Sequence, residues 1–465
     1  MKRLARPLAV LAAALVISSS GTASAAAVSG TTQPSATSYG TKLPYTPQQN
    51  SATYQAPPSG FKPVFTEHVA RHGSRGLSSK KYDDLALQVW KKAKSENSLT
   101  DLGTEFGPAV QALMTANEKL GYGNLTTRGV QEHRDLAARV YRRLPALFND
   151  IPKKSNPIVI VTSGVDRAVD SGRNFGEGLA AADPAVASLI QAPQADPDLL
   201  YFHKSSANAA YQNYLNNDPR LKNVLRQIQE QPRSRTVARD LLEGLFTPAF
   251  VDRLAAGEFD FVDSESKKTH VRNEVDAALV IYNLYLITPG MRDEGDWRFE
   301  RFVPVEDAEW LGYLADAEDF YGKGPGFAGD DISFRMATVL LDDFFAKLEA
   351  AKGVGIHNRG AVFRFTHAEE IIPLAALMGL PGSTQQMPEG TLYTYENNPW
   401  RGALVSPMGA NIQWDMFQRG NQYIVRMLYN EKETDFKAAC KPISAGSYFY
   451  DLTELERCFG RRTAG

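Results

Sequence analysis

Three basic side chains are concentrated in the segment Arg71-His72-Gly73-Ser74-Arg75. A phosphate monoester presents several anionic oxygens, and arginine meets them with planar pairs of N–H donors that stay charged at any relevant pH. A neutral imidazole can attack phosphorus in line, while neighbouring guanidinium groups stabilise the remaining oxygens. The segment therefore predicts phosphoryl transfer to His72, with Gly73 allowing the chain to approach a ligand closely. Taken alone, it could also be a surface loop with two solvated arginines.

Polar residues follow two other segments that have the composition of strands. Arg167 comes after Ile158-Val159-Ile160-Val161-Thr162, and His367 and Glu369 come after residues 361–366. Arg167 could donate to a further phosphate oxygen, and a carboxyl group at Glu369 could protonate a departing alkoxide. His367 and Glu369 open a predicted helix, where free N–H groups favour bound anions. In isolation Arg167 could be an ordinary surface arginine, and His-Ala-Glu has little specificity as a pattern.

Three strands must position these side chains. Residues 63–69 and 361–366 have the composition of strands, and the near-continuous β-branched run of residues 158–162 is typical of a strand buried on both faces. Ligands of open α/β sheets bind where the carboxyl ends of the strands meet. If the three strands share one sheet, the candidate residues converge on one edge: Arg71, His72, Arg75, Arg167, His367 and Glu369.

These segments resemble the histidine acid phosphatases, and His367-Ala368-Glu369 resembles the multiple inositol polyphosphate phosphatase branch, which includes bacterial phytases. The similarity extends with gaps from about residue 60 to Glu431. It implies that His72 is the nucleophile, that Glu369 is the proton donor, and that no metal or cofactor is required. It also implies a phosphate clamp made of Arg71, Arg75, Arg167 and His367. The sequence departs from the family pattern at Leu77, where a proline is usual, which changes the local loop and bears on substrate selectivity.

The resemblance implies an α/β fold, with a histidine-phosphatase-like core sheet flanked by helices and an inserted all-α cap domain. Apolar residues recur at helical spacing between about 195 and 300, for example at Val275, Leu279 and Leu286. We therefore predict that residues 60–194 and 301–465 form the core and that 195–300 form the inserted helical domain. Residues 305–321 predict another amphipathic helix, whose acidic side chains are expected on a solvated face and not at a metal site.

The first 25 residues have the pattern of a secretory signal peptide. Basic residues precede the short apolar run Leu8 to Ile17, which falls well below the roughly 20 residues that span a bilayer. Ala23-Ser24-Ala25 predicts cleavage near Ala25. Residues 26–59 are rich in Ser, Thr, Gln, Pro and Gly, which predicts a flexible N-terminal segment. The expected product is secreted and extracellular.

Charge and cysteine content limit the partners that the chain can bind and indicate the state of its two cysteines. The chain has 51 Lys+Arg and 53 Asp+Glu, a formal net charge of −2, and loss of the leader with its three basic residues would lower this to −5. Such a balance argues against nucleic acid or an anionic membrane as partner. Cys440 and Cys458 are the two cysteines, and in an exported protein they favour a disulfide worth about 3 kcal/mol. Two free buried thiols are the alternative.

The expected function is hydrolysis of inositol polyphosphates, phytate above all, through a phosphohistidine intermediate. The expected partner is a small-molecule phosphomonoester, with neither nucleic acid nor membrane. Three alternatives stay open. One is a broad-specificity acid phosphatase on sugar phosphates or phosphoglycerates. Another is a non-catalytic phosphate-ligand binding protein, although binding alone requires neither His72 nor Glu369. A metal hydrolase is the third, and no spaced ligand set supports it.

Overall fold

The computed structural model describes residues 36–353 and 359–461, and at its centre lies a mixed sheet. The predicted signal peptide lies outside the described residues. The strands of the sheet run in the order β10-β8-β7-β1-β6-β2-β3, and β9 pairs with β8. Their bounds are β1 Lys62–Arg71, β2 Ile158–Thr162, β3 Gln194–Ala195, β6 Ala361–Thr366, β7 Asn411–Arg419, β8 Gln422–Tyr429, β9 Lys432–Thr434 and β10 Phe449–Asp451. A separate antiparallel pair comprises β4 Phe261–Val262 and β5 His270–Val271.

Strands β1, β6 and β2 are adjacent and parallel, with Arg71 opposite Thr366 and Thr162 opposite Phe365. Strand β6 is buried along its whole length, as its apolar and β-branched residues predict for a strand covered on both faces. Strand β7 pairs with β1 in the antiparallel direction and begins an antiparallel half of the sheet. The predicted fold class, an α/β core sheet flanked by helices, is confirmed.

Helices surround this sheet. Their bounds are α1 Lys81–Ser95, α2 Asp101–Leu120, α3 Thr127–Arg143, α4 Pro145–Lys154, α5 Asp166–Ala182, α6 Pro197–Leu200, α7 Ala209–Asn217, α8 Pro219–Gln229, α9 Pro232–Leu245, α10 Pro248–Ala255, α11 Glu274–Ile287, α12 Val305–Lys323, α13 Thr338–Lys352, α14 Ala368–Leu377, α15 Gly402–Val405 and α16 Leu452–Cys458. Several of them begin with proline, whose missing N–H costs nothing at the first helical position. None of these described helices has the length and apolar character needed to cross a membrane.

The segment 195–300 contains helices α6 to α11 and the short pair β4–β5. Helices α1 and α2 precede this segment in the chain, yet α1 packs against α11 and α2 packs against α9. All the described residues fall within one compact unit. The helical layer thus includes elements from both sides of residue 195, and the domain division at 195 and 300 stays a prediction.

Residues 36–59 differ from the flexible segment predicted for 26–59. A 3-10 helix, Ala36–Lys42, packs against α12 and α15, and Tyr45 is buried. The Tyr45 amide donates to the carboxylate of Glu132 at 3.1 Å, and its hydroxyl donates to Glu431 at 3.0 Å. Amino-acid composition does not predict this ordered structure, because a few anchored aromatic side chains hold a segment whose other residues are mostly small and polar.

The acidic residues of α12 correct a second expectation. Glu306, Glu309 and Glu318 are exposed as predicted, but Asp316 is buried. Its carboxylate accepts from the Tyr395 hydroxyl at 2.7 Å and from the Gly402 amide at 3.0 Å. The helix contacts neighbouring elements on several sides, among them α8, α9, α14 and α15, so it lacks the single solvated face of a surface helix.

Cys440 and Cys458 form the predicted disulfide, with their Cα atoms 5.1 Å apart. The bond joins the last residue of α16 to the segment that follows β9. It lies toward the β10 end of the sheet, where β8 and β7 separate β10 from β1. The disulfide therefore secures the C-terminal part of the chain to the antiparallel half of the sheet.

Candidate active site

The three predicted strands end side by side. The amide of His72 donates to the carbonyl of Thr366 at 2.8 Å, and the amide of Ser163 donates to the carbonyl of Phe365 at 3.1 Å. These bonds continue the parallel ladder past the strand ends and fix the three junctions relative to one another. The convergence predicted from the strand pattern is therefore present in the structure.

His72 lies in the centre of this edge and is only 2% exposed. Its Nδ1 is 2.9 Å from the carbonyl oxygen of Gly73. Because a carbonyl can only accept, Nδ1 carries the proton of the neutral ring and Nε2 keeps its lone pair. Burial, followed by the charges of Arg71 and Arg167, holds the pKa of His72 well below its usual value. The ring is therefore a neutral imidazole with Nε2 available as a nucleophile.

Arg71 and Arg75 are both buried next to His72. Nη1 of Arg71 donates to the carbonyls of Thr41 and, at 2.6 Å, Ser406, while Nη1 of Arg75 donates to the carbonyl of Gly76 at 2.7 Å. Burial lowers the pKa of Arg71 to about 10 and that of Arg75 to about 9, so both stay charged at acidic and neutral pH. Their anchoring to backbone carbonyls fixes the two guanidinium planes beside the nucleophile.

His367 and Arg167 are the other two predicted phosphate-binding residues; His367 adds a neutral ring and Arg167 a third guanidinium group. His367 is the N-cap residue of α14, and its ring centroid is 5.4 Å from that of His72. Its Nε2 lies 2.8 Å from Oγ of Ser163. Burial and the charge of Arg167 lower the pKa of His367 to about 3, so the ring is neutral. Arg167 lies in the first turn of α5 and is half-buried.

Four buried nitrogen atoms in this cluster have no hydrogen-bond partner within residues 36–353 and 359–461. They are Nε of Arg71, Arg75 and Arg167, and Nδ1 of His367. Buried polar groups are normally paired, and a cluster of unpaired donors is suited to receive an anion with several acceptor oxygens. A phosphoryl group has that shape and charge.

Glu369 lies in the first turn of α14 with its side chain 37% exposed. Burial alone would raise the pKa of Glu369, but nearby positive charge, above all that of Lys323, outweighs it and holds the pKa well below the usual value. The carboxylate also interacts electrostatically with the three arginines of the cluster. The structure thus brings all six predicted site residues together.

Three charged residues near the site were missed by the sequence reasoning. Lys42 interacts electrostatically with Arg71 and Arg75, and burial, followed by these two charges, lowers the pKa of Lys42 to about 7. Lys323 is adjacent to Glu369, and Asp319 pairs with Lys323. The sequence carries no signal for any of them, because a single lysine in a polar segment or at the end of a helix has no distinguishing pattern. Lys80, by contrast, pairs with Glu118 at 2.6 Å.

Helix α3 packs against the loop that follows β1 and holds it by hydrogen bonds. The carboxylate of Glu132 accepts from the Ser74 amide at 2.6 Å and from the Ser74 hydroxyl at 2.8 Å. A Cβ at Gly73 would come within 2.4 Å of the carbonyl oxygen of Gly129. Gly73 is therefore needed for close packing of the loop against α3, and its predicted role in the approach of a ligand stays a prediction.

Within the described ranges, His, Cys, Asp and Glu side chains form no group of three or more that could hold a metal ion. The described site supplies positive charge of its own through the guanidinium groups of Arg71, Arg75 and Arg167.

A buried neutral histidine among arginines, at the carboxyl edge of such a sheet, defines the class of histidine acid phosphatases. The chain belongs to the histidine phosphatase superfamily (branch 2), whose family model matches residues 65–430. The solved structure of the multiple inositol polyphosphate phosphatase of Bifidobacterium longum in complex with inositol hexasulfate is 34% identical, with a TM-score of 0.86. It covers 92% of this chain and 99% of that chain. The complex of the same enzyme with phosphate gives a TM-score of 0.87.

A curated relative outside bacteria is multiple inositol polyphosphate phosphatase 1 of Gallus gallus. It is 23% identical over 418 residues, which cover 86% of this chain and 84% of the relative. The human protein of the same name is 24% identical over 408 residues, covering 80% of this chain and 74% of the relative. The family resemblance predicted from the residues around His72 and His367 is confirmed, and the chain is an enzyme of the histidine acid phosphatase type.

Proposed function

We propose that this enzyme hydrolyses inositol polyphosphates, phytate above all, through a phosphohistidine at His72. The observation that carries the reaction is the His72 ring, which is buried and neutral with Nδ1 held by the Gly73 carbonyl. The substrate class is supported by the 34% identical enzyme whose structure holds inositol hexasulfate. In that ligand sulfate groups stand where phytate carries phosphates.

In the first step Nε2 of His72 attacks phosphorus in line with the ester oxygen. The N–P bond forms as the P–O bond breaks, and the electron pair of that bond moves to the departing alkoxide. Arg71, Arg75 and Arg167 stabilise the equatorial oxygens, and the unpaired Nδ1 of His367 is placed to contact one of them. The tether from Nδ1 of His72 to Gly73 keeps the ring oriented through the step.

Glu369 supplies the proton that the departing oxygen takes up. In the free site nearby cations hold Glu369 as a carboxylate, and the negative charge of a bound phosphate opposes them and raises its pKa. In the second step the carboxylate accepts a proton from water as the water oxygen attacks phosphorus. The N–P bond then breaks, inorganic phosphate leaves, and neutral His72 is restored.

Preference for a polyphosphorylated ring is supported by a cation beyond those that one phosphoryl group needs. Lys42 adds an ammonium group that interacts electrostatically with Arg71 and Arg75, whereas Lys323 is already paired with Asp319. A monoester with a single phosphate brings no second phosphate to Lys42. A substrate with several phosphates can engage Lys42 in a charge-assisted hydrogen bond.

The test compares kcat/KM for phytate with that for glycerol phosphate, a sugar phosphate and a phosphoglycerate, with chelator present throughout. We expect the highest value for phytate. Lys42→Ala should lower kcat/KM for phytate roughly tenfold, the loss of about one charge-assisted hydrogen bond, and change the single-phosphate substrates less. Lys80→Ala is the matched control, since Lys80 is paired with Glu118. Equal rates on all four substrates would favour a broad acid phosphatase instead.

We also propose that the enzyme is exported. The proposal is supported by the signal-peptide pattern of residues 1–25 and by the Cys440–Cys458 disulfide, since such bonds persist in oxidising compartments.

A further inference from the structure

Lys323 is the last residue of α12 and lies between two carboxylates. Its Nζ is 2.8 Å from Oδ1 of Asp319 and 3.4 Å from Oε1 of Glu369. Asp319 and Lys323 are one helical turn apart, so α12 itself sets the geometry of their pair. Helix α12 packs against α14, which carries Glu369 in its first turn. The ammonium group therefore links two elements at the edge of the active site.

The three side chains are partly shielded from solvent, with exposures of 18% for Lys323, 19% for Asp319 and 37% for Glu369. Although burial opposes it, the two carboxylates raise the pKa of Lys323 well above its usual value. Lys323 is thus a permanent cation at working pH. Partial burial also makes its effect on Glu369 less sensitive to salt than that of an exposed pair.

Other charges reach Glu369 from every element packed around it. His203 lies in the turn Phe202–Lys204 and is hydrogen-bonded to Glu370, the neighbour of Glu369 on α14. Further groups are Arg71, Arg75 and Arg167 of the phosphate cluster, His367, and the hydroxyl groups of Tyr201 and Tyr211. The arginines and His367 are placed to hold the phosphoryl group and would be partly neutralised by it. Lys323 instead has Asp319 as a fixed partner.

We propose that Lys323, anchored by Asp319, is a positioning residue that holds the Glu369 carboxyl group and controls the proton it gives to the leaving group. The proposal rests on the proposed function, because it assigns Lys323 a part in the proton transfer of that same site. Lys323 acts through Glu369 and does not itself exchange a proton with the substrate.

The direction of the effect on pH dependence follows from charge. A proton donor works only while protonated, so activity on phytate is present below the pKa of Glu369 and is lost as the pH rises through it. Lys323→Met keeps the length of the side chain but removes the cation, so the pKa of Glu369 rises. We expect the falling limb of kcat/KM for phytate to move to higher pH by about 1 to 3 units, the usual effect of one close opposite charge. Lys323→Arg keeps the charge and should stay close to wild type.

Asp319→Asn should shift the falling limb of the phytate pH profile in the opposite direction. It removes a negative charge near Glu369 and leaves the Lys323 cation without its fixed partner, so the falling limb should move to lower pH. Glu309→Gln is the matched control, because Glu309 is exposed on the same helix and lies more than two turns before Asp319. It should leave the limb in place. Ionisation of phytate is common to all variants and cancels in the comparison.

Nitrophenyl phosphate separates this proposal from the proposed function, since its leaving group departs without a proton. Its pH profile should be the same in wild type, Lys323→Met and Asp319→Asn. The proposal is overturned if Lys323→Met leaves the falling limb of the phytate pH profile in place, or if Lys323→Arg moves that limb as far as Lys323→Met does. It is also overturned if the pH profiles for phytate and nitrophenyl phosphate shift together. If Lys323→Met fails to fold, an Asp319→Asn enzyme whose phytate pH profile does not shift overturns the proposal equally. Wild-type protein inactive on every phosphomonoester would instead refute the proposed function.

Discussion

Glu369 and His367 are two residues apart in the chain, yet their substitutions should affect the two kinds of substrate differently. A proton donor matters when the leaving group is poor, because protonation stabilises the charge that develops on the departing oxygen. An inositol alkoxide is a poor leaving group and a nitrophenolate is a good one. Glu369→Gln should therefore slow phytate hydrolysis by roughly 10²–10⁴-fold and slow nitrophenyl phosphate hydrolysis much less, as measured by kcat/KM on the two substrates.

His367→Ala is the companion variant. In the proposed mechanism Nδ1 of His367, which has no partner among the described residues, contacts the phosphoryl group that both substrates share, so loss of His367 should slow both by a similar factor. If Glu369→Gln instead reduces both rates equally, Glu369 is a phosphate-site or structural residue and the proton donor lies elsewhere.

At the scale of single residues the sequence predicted the six side chains that belong to recognisable segments. His72 and its arginines share one short stretch, and His367 and Glu369 follow a strand. Lys42, Asp319 and Lys323 could not be predicted, because their importance depends on α12 and the N-terminal segment packing against the site. The buried Asp316 was misplaced on a solvated face for the same reason.

At the scale of elements, the nucleophile loop depends on the approach of α3. A Cβ added at Gly129 would lie 2.0 Å from the carbonyl oxygen of Ser74, so backbone must shift to admit it. Gly129→Ala should displace the loop that carries His72, and a displacement of about 1 Å in a catalytic group costs on the order of 10²-fold in rate. We expect that loss for phytate and nitrophenyl phosphate alike, with circular dichroism showing that the helices are retained.

Gly244→Ala in α9 is the control for this prediction, because a Cβ there would meet no described atom within 4 Å. It should be as active as wild type. A Gly129→Ala enzyme with wild-type rates would show that the loop tolerates movement of α3.

The strands that carry the site were predictable because β-branched and apolar runs mark parallel strands. From the sequence, the adjacency of these strands in the order β1-β6-β2 could only be assumed, because the composition of a strand does not determine which strands pair with it. The order of residues 36–59 was also not predictable. It depends on hydrogen bonds from Tyr45 to partners as distant in sequence as Glu431.

At the scale of the whole molecule, the fold class and family followed from a few local segments, while the division into domains stays a prediction. Helices α1 and α2 pack with α9 and α11 across the predicted boundary at 195. Helical periodicity identifies helices but does not say to which layer each belongs.

The proposal of export predicts the covalent state of the secreted protein. Protein recovered from the medium should begin at Ala26, and alkylation of the unfolded chain should label no thiol before reduction and two afterwards. Intact mass spectrometry reports both properties in one experiment. Retention of the chain in the cell with residues 1–25 intact would contradict export, and two thiols labelled without reduction would contradict the disulfide.

The central claim is that His72 becomes phosphorylated during turnover, and trapping that intermediate tests it most directly. Enzyme mixed with labelled phytate and quenched rapidly in base, where phosphohistidine survives, should carry label on the peptide that contains His72. His72→Ala should be folded, unlabelled and nearly inactive. Label on another residue, or a His72→Ala enzyme that turns over phytate within about tenfold of wild type, a barrier difference of only about 1.4 kcal/mol, would contradict the account.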